Sequence, residues 1–395
     1  MLDHVSVLTK DELVRRTKAA IREISPEDVK ARLGLPHPPL LLDVREADEV
    51  ATGVVSGARH IPRGFLELRI EDVERHRDRE IIVYCAGGIR SALATRSLEE
   101  LGYKNVASMT GGFTGWKNKG LPWSVEPTLS PEQLVRYSRH LTLSEVGEDG
   151  QKRLLSSRIL LIGAGGLGSP TAYYLAAAGV GTIGLVDPDT VDRSNLQRQI
   201  LHRDADIGVL KVDSGERAMR DLNPDVKVKK YAERLSSENV MRILDEGWDV
   251  VVDGCDNFPT RYLVNDACVF RKIPNVHGSI FRFEGQVSVF APALGGPCYR
   301  CLYPEPPPPG MAPSCAEAGV IGALPGIIGT MQAIEAVKLV LKKGRSLVGR
   351  LLQYDALEQS WRELKLRRDP SCPVCSDRPT ITSLIDYEAF CSLNA

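Results

Sequence analysis

Four cysteines stand as two pairs, Cys298-x-x-Cys301 and Cys372-x-x-Cys375. Thiolates at this spacing meet one cation from two sides, and two such knuckles form a closed tetrahedral zinc site with no open position. A closed site is structural, tying the C-terminal part of the chain back to the body that carries Cys298. The alternatives are a redox-active dithiol or four unrelated core cysteines. A further cysteine, Cys85, lies in "YCAGGIRS" (Tyr84 to Ser91). Small residues after it let the backbone curl so that several N–H groups face the sulfur, a nest suited to a thiolate or a persulfide. Arg90 would complete an electropositive rim, and Ser91 would open a helix whose N-terminal dipole acts in the same sense. The competing reading is a buried packing cysteine.

The third chemical signal is Gly163-x-Gly165-x-x-Gly168, between an apolar run and an alanine-rich one. Glycines there permit a tight turn and bring phosphates close to a helix N-terminus. Asp187 ends the next apolar run and is placed to accept hydrogen bonds from ribose hydroxyls. On these residues alone a nicotinamide or flavin oxidoreductase is a full competitor. Asn195 and Arg198 in "DPDTVDRSNLQRQ", then Lys211, favour a triphosphate, since paired cations offset charge developing beyond the first phosphate. Asp256 would hold Mg2+, a hard cation that takes carboxylate, water and phosphate oxygens.

These residues need a scaffold, and the hydrophobic patterning supplies two α/β bodies. In the first, "LLLDV" (Leu40 to Val44) and "EIIVYC" (Glu80 to Cys85) read as strands and Ser91 to Leu101 as a helix. Pro122, Pro127 and Pro131 interrupt regular structure, which predicts a linker, an N-terminal segment 1–23, a first domain over 24–125 and a second over 126–395. The second opens on a helix from Pro131 to Leu143, followed by a βαβ unit from Ser157 to Asp187 and a strand in "WDVVVDGCDN" that ends at Asp256 and Asn257. "PEPPPPGMAP" (Pro304 to Pro313) reads as a loop.

At 395 residues the length suits two or three domains, and a net charge of −1 gives no basic surplus for nucleic acid or an anionic membrane. The N-terminus lacks an apolar signal core and no uninterrupted run of about eighteen apolar residues occurs, so a cytoplasmic protein is expected. Nine cysteines in such a chain suit metal ligands, nucleophiles and core positions better than disulfides.

Two family resemblances follow from longer motifs. "LLDVREADEVATGVVSGARHIPRG", the Cys85 loop and "GYKNVASMTGGFTGWKNKGLP" together resemble rhodanese-type sulfurtransferases from about Ile24 to Pro122. That resemblance implies a persulfide on Cys85, with Asp43 and Arg45 structural, and a sulfur donor that is thiosulfate or a cysteine desulfurase. From about Leu129 to Pro379, "RYSRHL", "GAGGLGSP", "VDPDTVDRSNLQRQ", "DGCDNFPTRYLVNDAC" and "HGSIFRFEGQVSVF" resemble adenylyltransferases of the MoeB and ThiF type, relatives of ubiquitin-activating enzymes.

This second resemblance implies ATP contacts at Gly166, Asp187, Ser194, Asn195, Leu196, Gln197, Arg198, Lys211, Asp256 and Asn257. It also implies zinc at the cysteine pairs and an Arg139 that reaches the nucleotide of a second subunit in a homodimer. "GVLKVDS" lacks the proline that commonly precedes the lysine, and Cys255 replaces a common threonine. Neither change removes a charged contact. Cys315 matches the position of a ThiF-type cysteine that links covalently to the carrier or to a donor's sulfur; an accessory cysteine is the alternative. Cys268, Cys391 and His277 are expected to pack in the core.

The implied substrate is a small ubiquitin-fold sulfur carrier ending in Gly-Gly. The expected activity is its adenylation followed by sulfur transfer from Cys85, in molybdopterin, thiamine or related biosynthesis. A docking module with an independent rhodanese activity is the other reading.

Overall fold

In the computed structural model the chain divides into two compact units after Thr128. The residues described are 8–125 in the first unit, and 129–307 and 319–392 in the second. Each unit is built around its own sheet.

The first sheet joins β1 (Glu23–Ile24), β2 (Leu40–Asp43), β3 (Arg59–His60), β4 (Ile81–Tyr84) and β5 (Val106–Met109) in the order β1-β5-β4-β2-β3, all parallel. β2, β4 and β5 are buried along their whole length, which is why they read as unbroken apolar runs rather than alternating ones. The strand expected to reach Cys85 ends at Tyr84, so the cysteine belongs to the turn that follows. The helix after it runs from Ile89 to Glu100, starting two residues before Ser91. Residues 1–23 form no separate segment where described. The Lys10–Ala20 helix, capped by Thr9 Oγ1, packs on the Ile89–Glu100 helix and buries Thr17.

The second sheet has eight strands, ordered β13-β12-β11-β10-β9-β6-β7-β8. β6 (Arg158–Ile162), β7 (Thr182–Val186), β8 (Lys227–Tyr231), β9 (Val250–Asp253) and β10 (Asn275–Phe281) are mutually parallel. β11 (Glu284–Phe290), β12 (Arg350–Asp355) and β13 (Ser360–Lys365) extend it as an antiparallel meander. After β8 the chain returns past β6 to form β9 on its other side. That reversal opens a crevice at the carboxyl ends of β6 and β9, where open α/β sheets bind ligands.

Two expected boundaries move. The helix predicted from Pro131 to Leu143 breaks at Tyr137 into Pro131–Arg136 and Ser138–Leu141, because buried Tyr137 bonds sideways to Asn223 instead of continuing one regular helix. The strand predicted to end at Asp256 and Asn257 ends at Asp253, and Asn257 caps the Phe258–Arg271 helix through Thr260 N–H. The Leu324–Leu341 helix is long and apolar enough to cross a membrane by length and composition alone. It lies against β10 and β11 with Leu324, Ile328, Ala333 and Ala336 in the core, and Glu335 within it accepts the Leu347 N–H.

Candidate active site

The crevice at the switch of strand order is a cleft of about 200 Å3. Gly163, Gly165, Gly166, Asp187, Arg198, Lys211, Asp256 and Asn257 all line it. The structure thus brings these eight sequence-predicted residues to one cleft. Ser194, Asn195, Leu196, Gln197 and Gly168 lie outside the lining, as does exposed Arg139 in its own chain. Cys315 falls outside the described residues. Gln199, Glu233 and Arg261 line the cleft without having been anticipated. Arg261 is one turn into the helix that Asn257 caps, a position readable from helical spacing only once the cap is known.

Gly168 is required by a close approach: a Cβ there would sit 1.9 Å from the Gly163 carbonyl oxygen. Its role is thus to let the Gly168–Ala178 helix abut the turn, rather than to touch ligand. Asp187 holds the turn from the other side, accepting the Ala164 N–H at 2.8 Å on Oδ2 and the Asp189 N–H at 2.9 Å on Oδ1. Each oxygen keeps a further acceptor position, so a ribose hydroxyl still finds a partner there. Burial pushes the Asp187 carboxyl above its ordinary value, opposed by the ammonium of Lys211 at 3.9 Å.

Lys211 itself is nearly buried and donates to Asp189 at 2.9 Å. Leu210 before it has φ of −55°, the value a proline would impose, so the missing proline leaves this backbone unchanged. Asp256 is exposed at the rim, where a hard cation has access. Beneath it Cys255, in place of a common threonine, donates its thiol to Asp253 Oδ1 at 2.7 Å. His277 bonds Asp253 Oδ2 at 2.9 Å and is fully packed, a satisfied core histidine as expected.

A larger cavity of about 600 Å3 opens at the opposite strand ends between Arg153, Lys272, Leu294 and Lys342. Among the described residues its lining has no glycine, and its carboxylate, Asp249, stands at the amino end of β9 and accepts the Arg158 N–H at 2.8 Å. Volume alone does not make it the reacting centre.

In the first unit Gly88, with φ of +92°, turns its N–H onto Cys85 Sγ at 3.1 Å. Among the described residues it is the one backbone N–H bonded to that sulfur, so the nest of several donors is smaller than expected. Ser91 Oγ lies 3.5 Å from the sulfur and accepts from Ser108 Oγ at 2.9 Å. Because Ser108 supplies the proton to that contact, Ser91 is free to donate its own to a thiolate. Ser108, on β5, was not foreseen; it reaches Ser91 only because β5 lies beside β4 in the sheet.

Arg90 does not stand as a free rim cation. Both its terminal nitrogens bond the two oxygens of Glu49 at 2.6 Å. Arg90 holds the Glu49 carboxyl down at about 2. A depressed acid stabilises the fold above its unfolded value and stops doing so as pH falls through its folded one. The Glu49–Arg90 clasp is expected to be intact at neutral pH and to open between about pH 4.5 and pH 2. Amide exchange of the Ile89–Glu100 helix, compared between the native chain and Glu49→Gln across that range, checks it. Asp43 and Arg45 are structural as expected: a buried pair at 2.6 Å in which Arg45 also donates to the Gly53 carbonyl and covers the Phe113 ring.

The two cysteine pairs meet. Sγ separations are 3.9 Å for Cys298–Cys301, 3.5 Å for Cys298–Cys372 and 3.4 Å for Cys301–Cys375, and all four sulfurs lie within 4.8 Å of one another. A tetrahedral zinc with bonds of about 2.3 Å requires sulfur separations of roughly 3.8 Å, so the donor set fits. The Asp369 N–H donates to Cys301 Sγ at 3.4 Å, the kind of outer bond that orients a metal-bound thiolate. Beside it a buried Arg300–Asp266 pair at 2.9 Å and the Tyr387 hydroxyl bind the C-terminal helix Tyr387–Ser392. Cys268 is in the core as expected, while Cys391 is half-buried.

A mononucleotide cleft at a sheet reversal, with two cations and a rim carboxylate, in a chain whose other unit holds a buried cysteine beside a glycine loop, is the arrangement of an adenylyltransferase with a sulfurtransferase-type domain. The comparisons agree. A family model described as ThiF family matches residues 137–374, and one described as Rhodanese-like domain matches residues 25–119. The chain belongs to the ThiF family and carries a rhodanese-like domain N-terminal to it.

It is 53% identical over 266 residues to the sulfur carrier protein adenylyltransferase of Thermus thermophilus, covering 66% of this chain and 98% of the relative. It is 51% identical over 269 residues to the SAMP-activating enzyme E1 of Haloferax volcanii, covering 68% and 98%. Identity to the probable adenylyltransferase/sulfurtransferase MoeZ of Mycobacterium tuberculosis is 53% over 280 residues, 70% of each chain. The crystal structure of E. coli MccB with ATP shares the fold at a TM-score of 0.52 and 23% identity, over 61% of this chain and 74% of that one.

Proposed function

We propose that this enzyme adenylates the C-terminal Gly-Gly carboxylate of a ubiquitin-like sulfur carrier protein and then converts it to a thiocarboxylate with sulfur carried on Cys85. The observation that carries the reading is one cleft holding the glycine turn, Arg198, Lys211 and Asp256 together. An oxidoreductase has no use for that cation pair.

In the first step the carrier carboxylate attacks the α-phosphorus of ATP and pyrophosphate leaves. Arg198, Lys211 and Arg139 of a partner protomer in a cytoplasmic homodimer offset the charge that develops. Asp256 would hold Mg2+, which would supply neutralising charge to the phosphates. In the second step a Cys85 persulfide attacks the acyl carbon and displaces AMP, leaving an acyl disulfide. Attack on the Cys85-side sulfur by Cys315, or by an external thiol, forms a new disulfide and releases the thiocarboxylate. A further external thiol reduces that disulfide by exchange and frees the Cys85 thiolate, which thiosulfate or a cysteine desulfurase then reloads.

The test is ATP–pyrophosphate exchange with candidate Gly-Gly-ended carriers added in turn. Exchange that depends on one carrier and disappears in Asp256→Ala supports the reading. No exchange with any carrier, in protein that binds ATP, overturns it in favour of a docking module.

Zinc at Cys298, Cys301, Cys372 and Cys375 would close a loop of more than seventy residues and stabilise the fold without entering the chemistry. Cys375→Ser is expected to lose the metal and lower Tm by roughly 6–12 °C, for a clasp worth about 3 kcal/mol in a domain of this size. Metal analysis and calorimetry check this; an unchanged Tm with the metal gone would remove the structural role.

A further inference from the structure

Ala164, inside the glycine turn, has both backbone polar groups occupied. Its N–H donates to Asp187, and its carbonyl oxygen lies 2.9 Å from Nε2 of His202. His202 does not line the cleft; it is buried behind it. Its other ring nitrogen, Nδ1, is 2.9 Å from Ser214 Oγ, which is in turn 2.7 Å from Asp206 Oδ2. Ser214 follows Lys211 by one turn on the Lys211–Leu222 helix. The chain Ala164–His202–Ser214–Asp206 thus connects the phosphate-binding turn to the helix that presents the phosphate-binding lysine.

Proton bookkeeping makes this chain unusual. A carbonyl oxygen only accepts, so Nε2 must carry a proton. The remaining contacts are Nδ1 to Ser214 and Ser214 to Asp206, and an ionised carboxylate also only accepts. With a neutral ring, the single hydroxyl proton of Ser214 must serve two acceptors. With an imidazolium, Nδ1 donates to Ser214, Ser214 donates to Asp206, and three contacts have three protons.

We propose that His202 is a positioning residue of the nucleotide site, tying the glycine turn to the Lys211 helix through a hydrogen-bond chain that is complete only when the imidazole is doubly protonated. The groups facing it act in both directions. Asp206 and Asp187 favour the second proton; burial, the largest influence, and Lys211 oppose it and hold the ring below its ordinary value. Arg217, paired to Asp206 Oδ1 at 2.7 Å, and the Arg203 N–H on Asp206 Oδ2 keep that carboxylate ionised and fixed. At neutral pH the chain is therefore one proton short. Phosphates arriving at the turn add negative charge and favour the second proton, so nucleotide binding draws a proton onto His202 in the mildly acidic range.

The inference rests on reading the cleft as an ATP site, and its test separates the two. In the full-length chain, histidine ring NMR, with His202 assigned by its loss in His202→Gln, gives its titration midpoint. That midpoint is expected to rise when a non-hydrolysable ATP analogue is added and to fall in nucleotide-free Ser214→Ala. His202→Leu is expected to raise the ATP KM about tenfold, with kcat nearly unchanged, as one buried hydrogen-bond link is lost. His202→Gln keeps a donor for Ala164 and an acceptor for Ser214. Like the neutral ring it leaves Ser214 one proton short, so it should recover only part of the KM and should flatten its dependence on pH in the mildly acidic range.

A midpoint indifferent to both the nucleotide and Ser214→Ala, or a His202→Gln enzyme with the native pH profile, overturns the proposal. Failure of the native chain to bind ATP would instead overturn the reading of the cleft. In that case the Ser214→Ala response in the nucleotide-free chain still decides the hydrogen-bond chain.

Discussion

Lys211→Met is expected to lower carrier-dependent ATP–pyrophosphate exchange by about two to three orders of magnitude, the range seen when a preorganised charge is withdrawn from a transition state. Lys211 is held at 2.9 Å from Asp189 and 3.9 Å from Asp187, with 7% of its side chain exposed. Its ammonium is thus positioned before nucleotide arrives. Methionine preserves the unbranched stem and removes the charge, so the loss should appear mainly in kcat, with a smaller rise in ATP KM. Asp187 would then sit buried without its counter-charge, so circular dichroism must show that the variant is folded. Exchange within tenfold of the native rate would place Lys211 among structural ion pairs and outside the transition state.

Cys85→Ser should separate the two halves of the reaction. Exchange is expected to continue at the native rate, because the exchange reaction needs only ATP, carrier and the second unit's cleft. Thiocarboxylate formation, with the sulfur donor present, is expected to fall by about a thousandfold or more, since a hydroxyl cannot carry the sulfane sulfur. The hydrogen bonds around residue 85 need not change: Gly88 N–H and Ser91 Oγ can bond an oxygen as they bond sulfur. A Cys85→Ser protein that still forms thiocarboxylate at the unmutated rate would mean that sulfur reaches the acyl adenylate by another route.

Much of this protein was legible in its sequence, and for a common reason. The glycine turn, the Asp187 strand end, the cysteine loop and each Cys-x-x-Cys knuckle are local patterns. Their chemistry depends on residues a few positions apart in one turn, where backbone geometry fixes the spacing. The helix break at Tyr137 was not legible, because the tyrosine's partner, Asn223, lies far along the chain. The early end of β9 turns on a local cap, Asn257 accepting the Thr260 N–H three residues on, which the apolar run of the strand masked.

The tertiary structure alone decided which charges face each other. Arg90 looked like an unpaired cation until the Ala47–Ala51 helix brought Glu49 against it. Ser108 joined the cysteine loop because β5 pairs with β4, and His202 reached the glycine turn only when the chain folded back between β7 and the Lys211 helix. The two knuckles, already joined as one expected zinc site in the sequence reading, do meet, with all four sulfurs within 4.8 Å of one another across a separation of more than seventy residues. A pattern within one element carries its own geometry, whereas a contact between elements depends on strand order and packing, which no short stretch of sequence contains.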